Sequence, residues 1–353
     1  MNQNEQPSSF GWSENPFSLR ILPQLFVGYA DQTQRLGYCI ANRSKVVLLL
    51  GPTGAGKTTT LKWLEARTDE NNIFYYLTKL PDRPEDLAEA IKGIFKPSIY
   101  DVLANLFGVK VTLLNLPKYV NKKLGKRHLF LLVDECHESD TKVLEWLRTM
   151  VDQIDGMSVI MAGLPTFEAR LKQDLETLLN RVTQKIELVA LSKLEMEEMI
   201  RKRVVFAGGK EIPFSREAIE AIYQKTGGFP RSVLKFCDQI IEDAQKKNIA
   251  YIDEAFVSEI QAPSVAAMSL NFIDTLPEKQ KEIIGMLSKN DLTPGQIIEY
   301  MSKEDYQNEE NAVRSVNNIL RRLMVENYII REKRGKSFAY KLSPKIRTLL
   351  ISS

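Results

Sequence analysis

Lys57, Thr58, Asp134 and Glu135 are the side chains in this sequence best suited, by type and spacing, to chemistry on a phosphate. Gly51-Pro52-Thr53-Gly54-Ala55-Gly56-Lys57-Thr58 matches G-x-x-x-x-G-K-[ST] at every position, with Thr59 next in line. Glycines let consecutive backbone N–H groups turn inward around an anion. Lys57 then brings a point charge to the β and γ oxygens, and the Thr58 hydroxyl is a ligand for Mg2+. Asp134 and Glu135 close the run His128-Leu-Phe-Leu-Leu-Val. There one carboxylate can hold Mg2+ through water and the other can polarise an attacking water. The combination implies that the chain binds and hydrolyses ATP.

These side chains need two buried strands to carry them. Val46-Val-Leu-Leu-Leu and the run before Asp134 are continuously apolar, as strands of a parallel sheet covered on both faces must be. A helix over residues 58–66 would point its positive end at the anion. Residues 73–77, 157–165 and 185–188 supply further strands, and 84–95 a helix with acidic residues in its first turn. Such α/β sheets place ligands at the carboxyl ends of their strands, where both motifs end. Helices are predicted over residues 31–42, 194–204, 216–225 and 231–246, the last opened by Pro230.

The bulk numbers narrow the class. The chain has 353 residues, 44% hydrophobic and 26% charged, enough for two or three domains. No apolar run approaches the roughly 18 residues that cross a bilayer. Residues 1–9 are polar and read as disordered, with no signal-peptide pattern. Three scattered cysteines and two histidines argue against a disulfide framework or a zinc site, so a cytoplasmic protein is expected. Residues 10–17, rich in aromatics and proline, suggest a segment anchored on the nucleotide domain.

The motifs resemble those of AAA+ ATPases of the general-secretion A-type and transposition-regulator branch, and of the archaeal origin-recognition initiators. The resemblance rests on N-P-F at 15–17, F-V-G at 26–28, the phosphate loop, D-E-C-H at 134–137, A-G-L-P at 162–165 and G-G-F-P-R at 227–231. It implies a three-layer P-loop core with a parallel sheet over residues 1–189 and a helical lid over 190–260. It also implies that Val27 and Gly28 lie over the adenine. Arg181 would be a finger reaching a neighbour's γ-phosphate, and Arg231 a second sensor arginine. The first sensor is in doubt: Leu164 stands where relatives carry a polar residue, and Thr166 is a weak substitute. In initiators of this kind the interval 97–127 touches DNA, whereas its basic residues Lys118, Lys122, Lys123, Lys126 and Arg127 read more simply as a solvated helix face.

Beyond a linker at 261–276, helices near 277–289, 294–302 and 309–326 precede a β-hairpin turning at Gly335. Three helices and a hairpin make a winged helix-turn-helix over 277–353. In its third helix Val313, Val316, Leu320 and Leu323 form the inward stripe, and Arg314, Asn317, Asn318 and Arg321 the outward one. From 311 to 353 there are ten basic residues against two acidic, while 265–310 has four basic against nine acidic. That segregation suits a phosphate-contacting face, with Arg314, Asn318, Arg321, Lys333, Arg334 and Lys336 as the DNA candidates. The partners expected are duplex DNA, further copies of the chain and no membrane. A winged helix that binds a protein, as in a signalling or secretion ATPase, stays open.

Overall fold

The computed structural model describes residues 10–96, 111–261, 276–301, 309–325, 328–334, 337–343 and 346. The expectations for residues 1–9, for 97–110, for most of the linker and for the turn at Gly335 lie outside the described residues. The chain divides into two compact units: one is Arg20–Val189, the other joins the stretch up to Leu19 to the chain from Ala190.

Arg20–Val189 is built on five parallel strands: β1 (Val46–Leu50), β2 (Asn72–Leu77), β3 (His128–Val133), β4 (Met157–Gly163) and β5 (Val182–Glu187). Their order is β2-β3-β4-β1-β5, and every pairing is parallel. β1, β3 and β4 are buried at every residue, which is why they read as unbroken apolar runs. Helices lie on both faces: α1 (Ala30–Ala41), α2 (Lys57–Glu65), α3 (Pro84–Gly93), α4 (Leu116–Leu124), α5 (Thr141–Gln153), α6 (Thr166–Asp174) and α7 (Glu176–Leu179). Alternate residues of β1, β3 and β4, among them Leu48, Leu131 and Val159, pack with Leu87 of α3, Val120 of α4, Leu144 of α5 and Phe167 of α6.

The last strand corrects the sequence reading, which put it at 185–188. β5 begins at Val182 and is only partly buried. An edge strand with one wet side lacks the apolar run that marked the central strands. α4 carries the basic run on its exposed side. Leu116, Val120 and Leu124 are buried, while Lys118, Lys122, Lys126 and Arg127 are exposed.

In the other unit, α8 (Lys193–Phe206), α9 (Arg216–Thr226), α10 (Pro230–Lys246) and α11 (Glu254–Glu259) are followed by α12 (Glu278–Lys289), α13 (Pro294–Tyr300), α14 (Glu309–Val325) and the hairpin β6 (Ile329–Arg334)–β7 (Ser337–Leu342). A second apolar core joins Ile283, Ile284 and Leu287 of α12 to Ile297, Val316, Leu320, Leu323 and Tyr340. Val313 is not in it: it is 40% exposed, and Ala312 is buried in its place. The inward stripe of α14 keeps Val316, Leu320 and Leu323 as expected, and differs only at its start, where Ala312 replaces Val313.

The N-terminal aromatic segment also departs from expectation. Residues beyond 190 hold it. Phe17 packs on Phe214, Ser13 N–H donates to the Ala207 carbonyl at 2.8 Å, and buried Arg203 donates to the carbonyls of Pro16 and Ser18 at 3.1 and 2.9 Å. Contacts across some 190 residues of chain leave no local signal.

Candidate nucleotide-binding site

The loop between β1 and α2 depends on its glycines. Gly54 and Gly56 have φ of 80° and 95°, a region that side chains with a Cβ rarely adopt. At Gly51 an added Cβ would lie 2.5 Å from the Leu188 carbonyl oxygen. Lys57, 6% exposed, donates from Nζ to the carbonyls of Gly51 and Pro52 at 2.8 and 3.1 Å. Thr53 is exposed at the loop's rim, Pro52, Thr58 and Thr59 are half-buried, and Ala55 is buried.

The two motifs meet at one carboxylate. Thr58 Oγ1 donates to Asp134 Oδ2 at 2.6 Å, Tyr76 Oη to the same oxygen at 3.2 Å, and Glu135 N–H to Asp134 Oδ1 at 3.0 Å. Burial first, and then the charge of Asp134, drives the Tyr76 phenol well above its ordinary range, so it is a donor here. Glu135 has φ 48°, the left-handed region, and its side chain is 45% exposed. Backbone strain at a carboxylate ending a buried strand is the kind kept where geometry serves chemistry. His137 Nδ1 stands 3.4 Å from Glu135 Oε2, within ion-pair reach but without hydrogen-bond geometry. Cys136 is buried against the Val133 carbonyl, and burial pushes its thiol up, away from reactivity.

Three residues of this region escaped the sequence reading. Tyr29, itself at φ 56°, donates from its hydroxyl to the Ala55 carbonyl at 2.6 Å and so props the loop from below. Tyr76 is the second. Arg170 of α6 donates to the carbonyls of His137 and Ser139 at 2.9 and 2.7 Å and fixes the turn that follows Glu135. Tyr29 follows F-V-G directly, and Tyr76 lies on the strand beside β3; neither position announces its partner.

The remaining candidates are dispersed. Val27 and Gly28 are half-buried before α1, Gly28 with φ 83°. Leu164 is half-buried, and Thr166 is exposed at the first position of α6, so no polar sensor is evident at the end of β4 among the described residues. Arg181 is held by Asp152, with Nε 2.7 and 2.9 Å from the two carboxylate oxygens. Arg231 belongs to the other unit, exposed at the second position of α10. On α14, Arg314, Asn318 and Arg321 are exposed, as is Lys333 on β6; the side chain of Arg334 and all of Lys336 lie outside the described residues.

The order of the sheet, the glycine loop entering α2 and the carboxylates closing β3 define a P-loop nucleotide-binding protein. Comparison with known proteins gives the family. Residues 41–171 match the family model described as AAA domain, and the unit that holds them has the P-loop AAA+ fold. General secretion pathway protein A of Aeromonas hydrophila is 31% identical over 242 residues, covering 66% of this chain and 43% of that protein. An uncharacterized HTH-type transcriptional regulator of Methanocaldococcus jannaschii is 27% identical over 231 residues, covering 63% of this chain and 54% of that one. The chain thus spans about half the length of the curated relatives it matches. Among solved structures, the ORC2 protein of Aeropyrum pernix in ADPNP-ADP complexes has a similar fold, with TM-score 0.57 and 13% identity over 96% of each chain. No helix among the described residues is long and apolar enough to cross a membrane.

Proposed function

We propose that the chain is a Mg2+-dependent ATPase that binds duplex DNA through a C-terminal winged helix-turn-helix and self-associates when loaded with ATP. In this reading the backbone N–H groups of residues 54–58 and the start of α2 cradle the phosphates. Lys57 exchanges its loop carbonyls for the β/γ oxygens, Val27 and Gly28 lie over the adenine, and Glu135 orients the attacking water. The hard oxygens of Thr58 and Asp134, 2.6 Å apart, fit Mg2+, and they would hold it as an electrostatic clamp on the phosphates. Arg181 and Arg231 are proposed to complete the γ-phosphate site, Arg181 from a neighbouring copy.

The observation that carries the DNA reading is the exposed row Arg314, Asn318, Arg321 on α14, at helical spacing opposite buried Val316, Leu320 and Leu323. Those side chain types suit base edges and phosphates in a major groove. The HTH-type description of the M. jannaschii relative agrees with it. One observation favours a protein partner instead. Ile330 and Phe338 are exposed on opposite faces of the hairpin and Val313 on α14, apolar side chains that DNA would not need. Anisotropy of labelled random duplex at several salt concentrations tests the choice. A steep loss of affinity with salt supports DNA, and no binding at low salt supports the protein reading.

A further inference from the structure

Tyr76 joins elements that the two sequence motifs leave separate. It lies on β2 opposite Leu132 of β3, two residues before Asp134. Its hydroxyl reaches Asp134 Oδ2, the oxygen that also accepts from Thr58. The ammonium of Lys62, one turn beyond Thr58 on α2, stands 3.8 Å from the centre of its ring and is held there by Glu65 at 2.8 Å. The ring is therefore fixed by the helix that starts the phosphate site, and the hydroxyl by the strand that ends it. Asp134 is 2% exposed and takes three donors, from Thr58 on α2, from Tyr76 on β2 and from the N–H of the next residue, Glu135. Without Tyr76, Thr58 alone would orient Oδ2, and the Thr58 hydroxyl is itself a ligand in the reading above.

We propose that Tyr76 is a positioning residue: its hydroxyl keeps Asp134 Oδ2 turned to Thr58, and so sets the Mg2+ concentration at which nucleotide binding tightens. This rests on the Mg2+–nucleotide reading of the site. Phenylalanine would keep the ring and its Lys62 contact while removing the donor.

The test uses the full chain and a fluorescent, non-hydrolysable ATP analogue, titrated with MgCl2. Wild type, Tyr76→Phe, Asp134→Asn and the double variant are compared, with thermal melting as a check on folding. Tyr76→Phe should need roughly tenfold more Mg2+ for half-maximal tightening, the order expected for a lost hydrogen bond to a buried charge. Its affinity in EDTA should match wild type, and it should still melt in one cooperative transition well above the assay temperature. Adding Tyr76→Phe to Asp134→Asn should shift the curve no further, because the hydroxyl acts through that carboxylate. Tyr76→Leu should shift it at least as far as Tyr76→Phe. A Tyr76→Phe curve superimposed on wild type, or an equal shift in the Asp134→Asn background, overturns the inference and leaves the ATPase reading intact. A wild-type protein that binds the analogue with no response to Mg2+ overturns both.

Discussion

Arg181 Nε lies 2.7 Å from Asp152 Oδ1 on its own chain, and Arg181 Nη1 donates to the Thr177 carbonyl. Both groups are about a third exposed, so the pair adds on the order of 0–1 kcal/mol to stability. That is small beside what a finger contributes to phosphoryl transfer, where the loss is orders of magnitude in rate. The two roles therefore separate. Asp152→Asn should leave ATP hydrolysis within about twofold of wild type, whereas Arg181→Ala should reduce it steeply while single-subunit nucleotide binding survives. Mixing Arg181→Ala with Lys57→Ala, which can still lend its own Arg181, should restore part of the activity. If Arg181→Ala and Asp152→Asn lose activity equally and no mixture recovers it, Arg181 serves only its own fold.

The two motifs predict separable steps. Lys57→Ala removes the cation from the phosphate loop, and equilibrium binding of a fluorescent ATP analogue should fall to background. Glu135→Gln keeps the left-handed backbone and the Glu135 N–H to Asp134, so the analogue should bind as in wild type. Its hydrolysis, followed by phosphate release, should slow by orders of magnitude. Turnover at the wild-type rate in Glu135→Gln would remove this residue from the water-orienting role.

Much of the core was legible because backbone physics restricts the residue types. Only glycine suits φ of 80° and 95° at Gly54 and Gly56, and only continuous apolar runs fill β1 and β3. Features set by distant packing were not legible. β5, wet on one side, carried no such run. Tyr29, Tyr76 and Arg170 look ordinary until the sheet order brings Ala55, Asp134 and His137 beside them. Val313 shows the limit of periodicity: at the first turn of the stripe positions 312 and 313 are both apolar, and the structure buries Ala312 rather than Val313.

His128 makes stability depend on acidity. It is buried at the start of β3, with Nε2 2.8 Å from Ser158 Oγ, and burial lowers its pKa from 6.5 to about 4, with Arg43 and Lys45 adding smaller effects. An unfolded chain takes up a proton as pH falls through about 6.5, while the folded one stays neutral down to about 4. Stability is thus fully present above pH 6.5 and declines between 6.5 and 4, by about 2–3 kcal/mol over that range. Urea midpoints at pH 7.5 and 4.5 measure it. His128→Gln should show a smaller drop between the two, by about 2 kcal/mol. An identical drop in both proteins would assign the acid sensitivity to the carboxylates.

The C-terminal face separates the functional classes. If α14 enters a major groove, Arg314, Asn318 and Arg321 face base edges and the hairpin runs along a neighbouring backbone. Reversing Lys333, Arg334 and Lys336 to glutamate should then weaken binding to every sequence. It should also flatten the plot of log affinity against log salt by about one unit per lost phosphate contact. Asn318→Ala or Arg321→Ala should instead cost roughly 1–3 kcal/mol at a preferred site and little elsewhere. Basal ATP hydrolysis should hold in all of these variants, because none of the substituted residues is among those proposed for the nucleotide site, and all lie outside Arg20–Val189. Pairing within the hairpin must be allowed for. Glu332 holds Lys341 at 2.8 Å, and Arg331 lies 4.8 Å over Phe338, so both cations are partly spent at home and are left unchanged. Anisotropy titrations at four salt concentrations, with and without ATP, give both slope and affinity. A triple-glutamate variant that matches wild type at every salt concentration would exclude the hairpin as a DNA surface. In that case the exposed Ile330 and Phe338 become the contacts to test, by substitution to serine, for a protein partner.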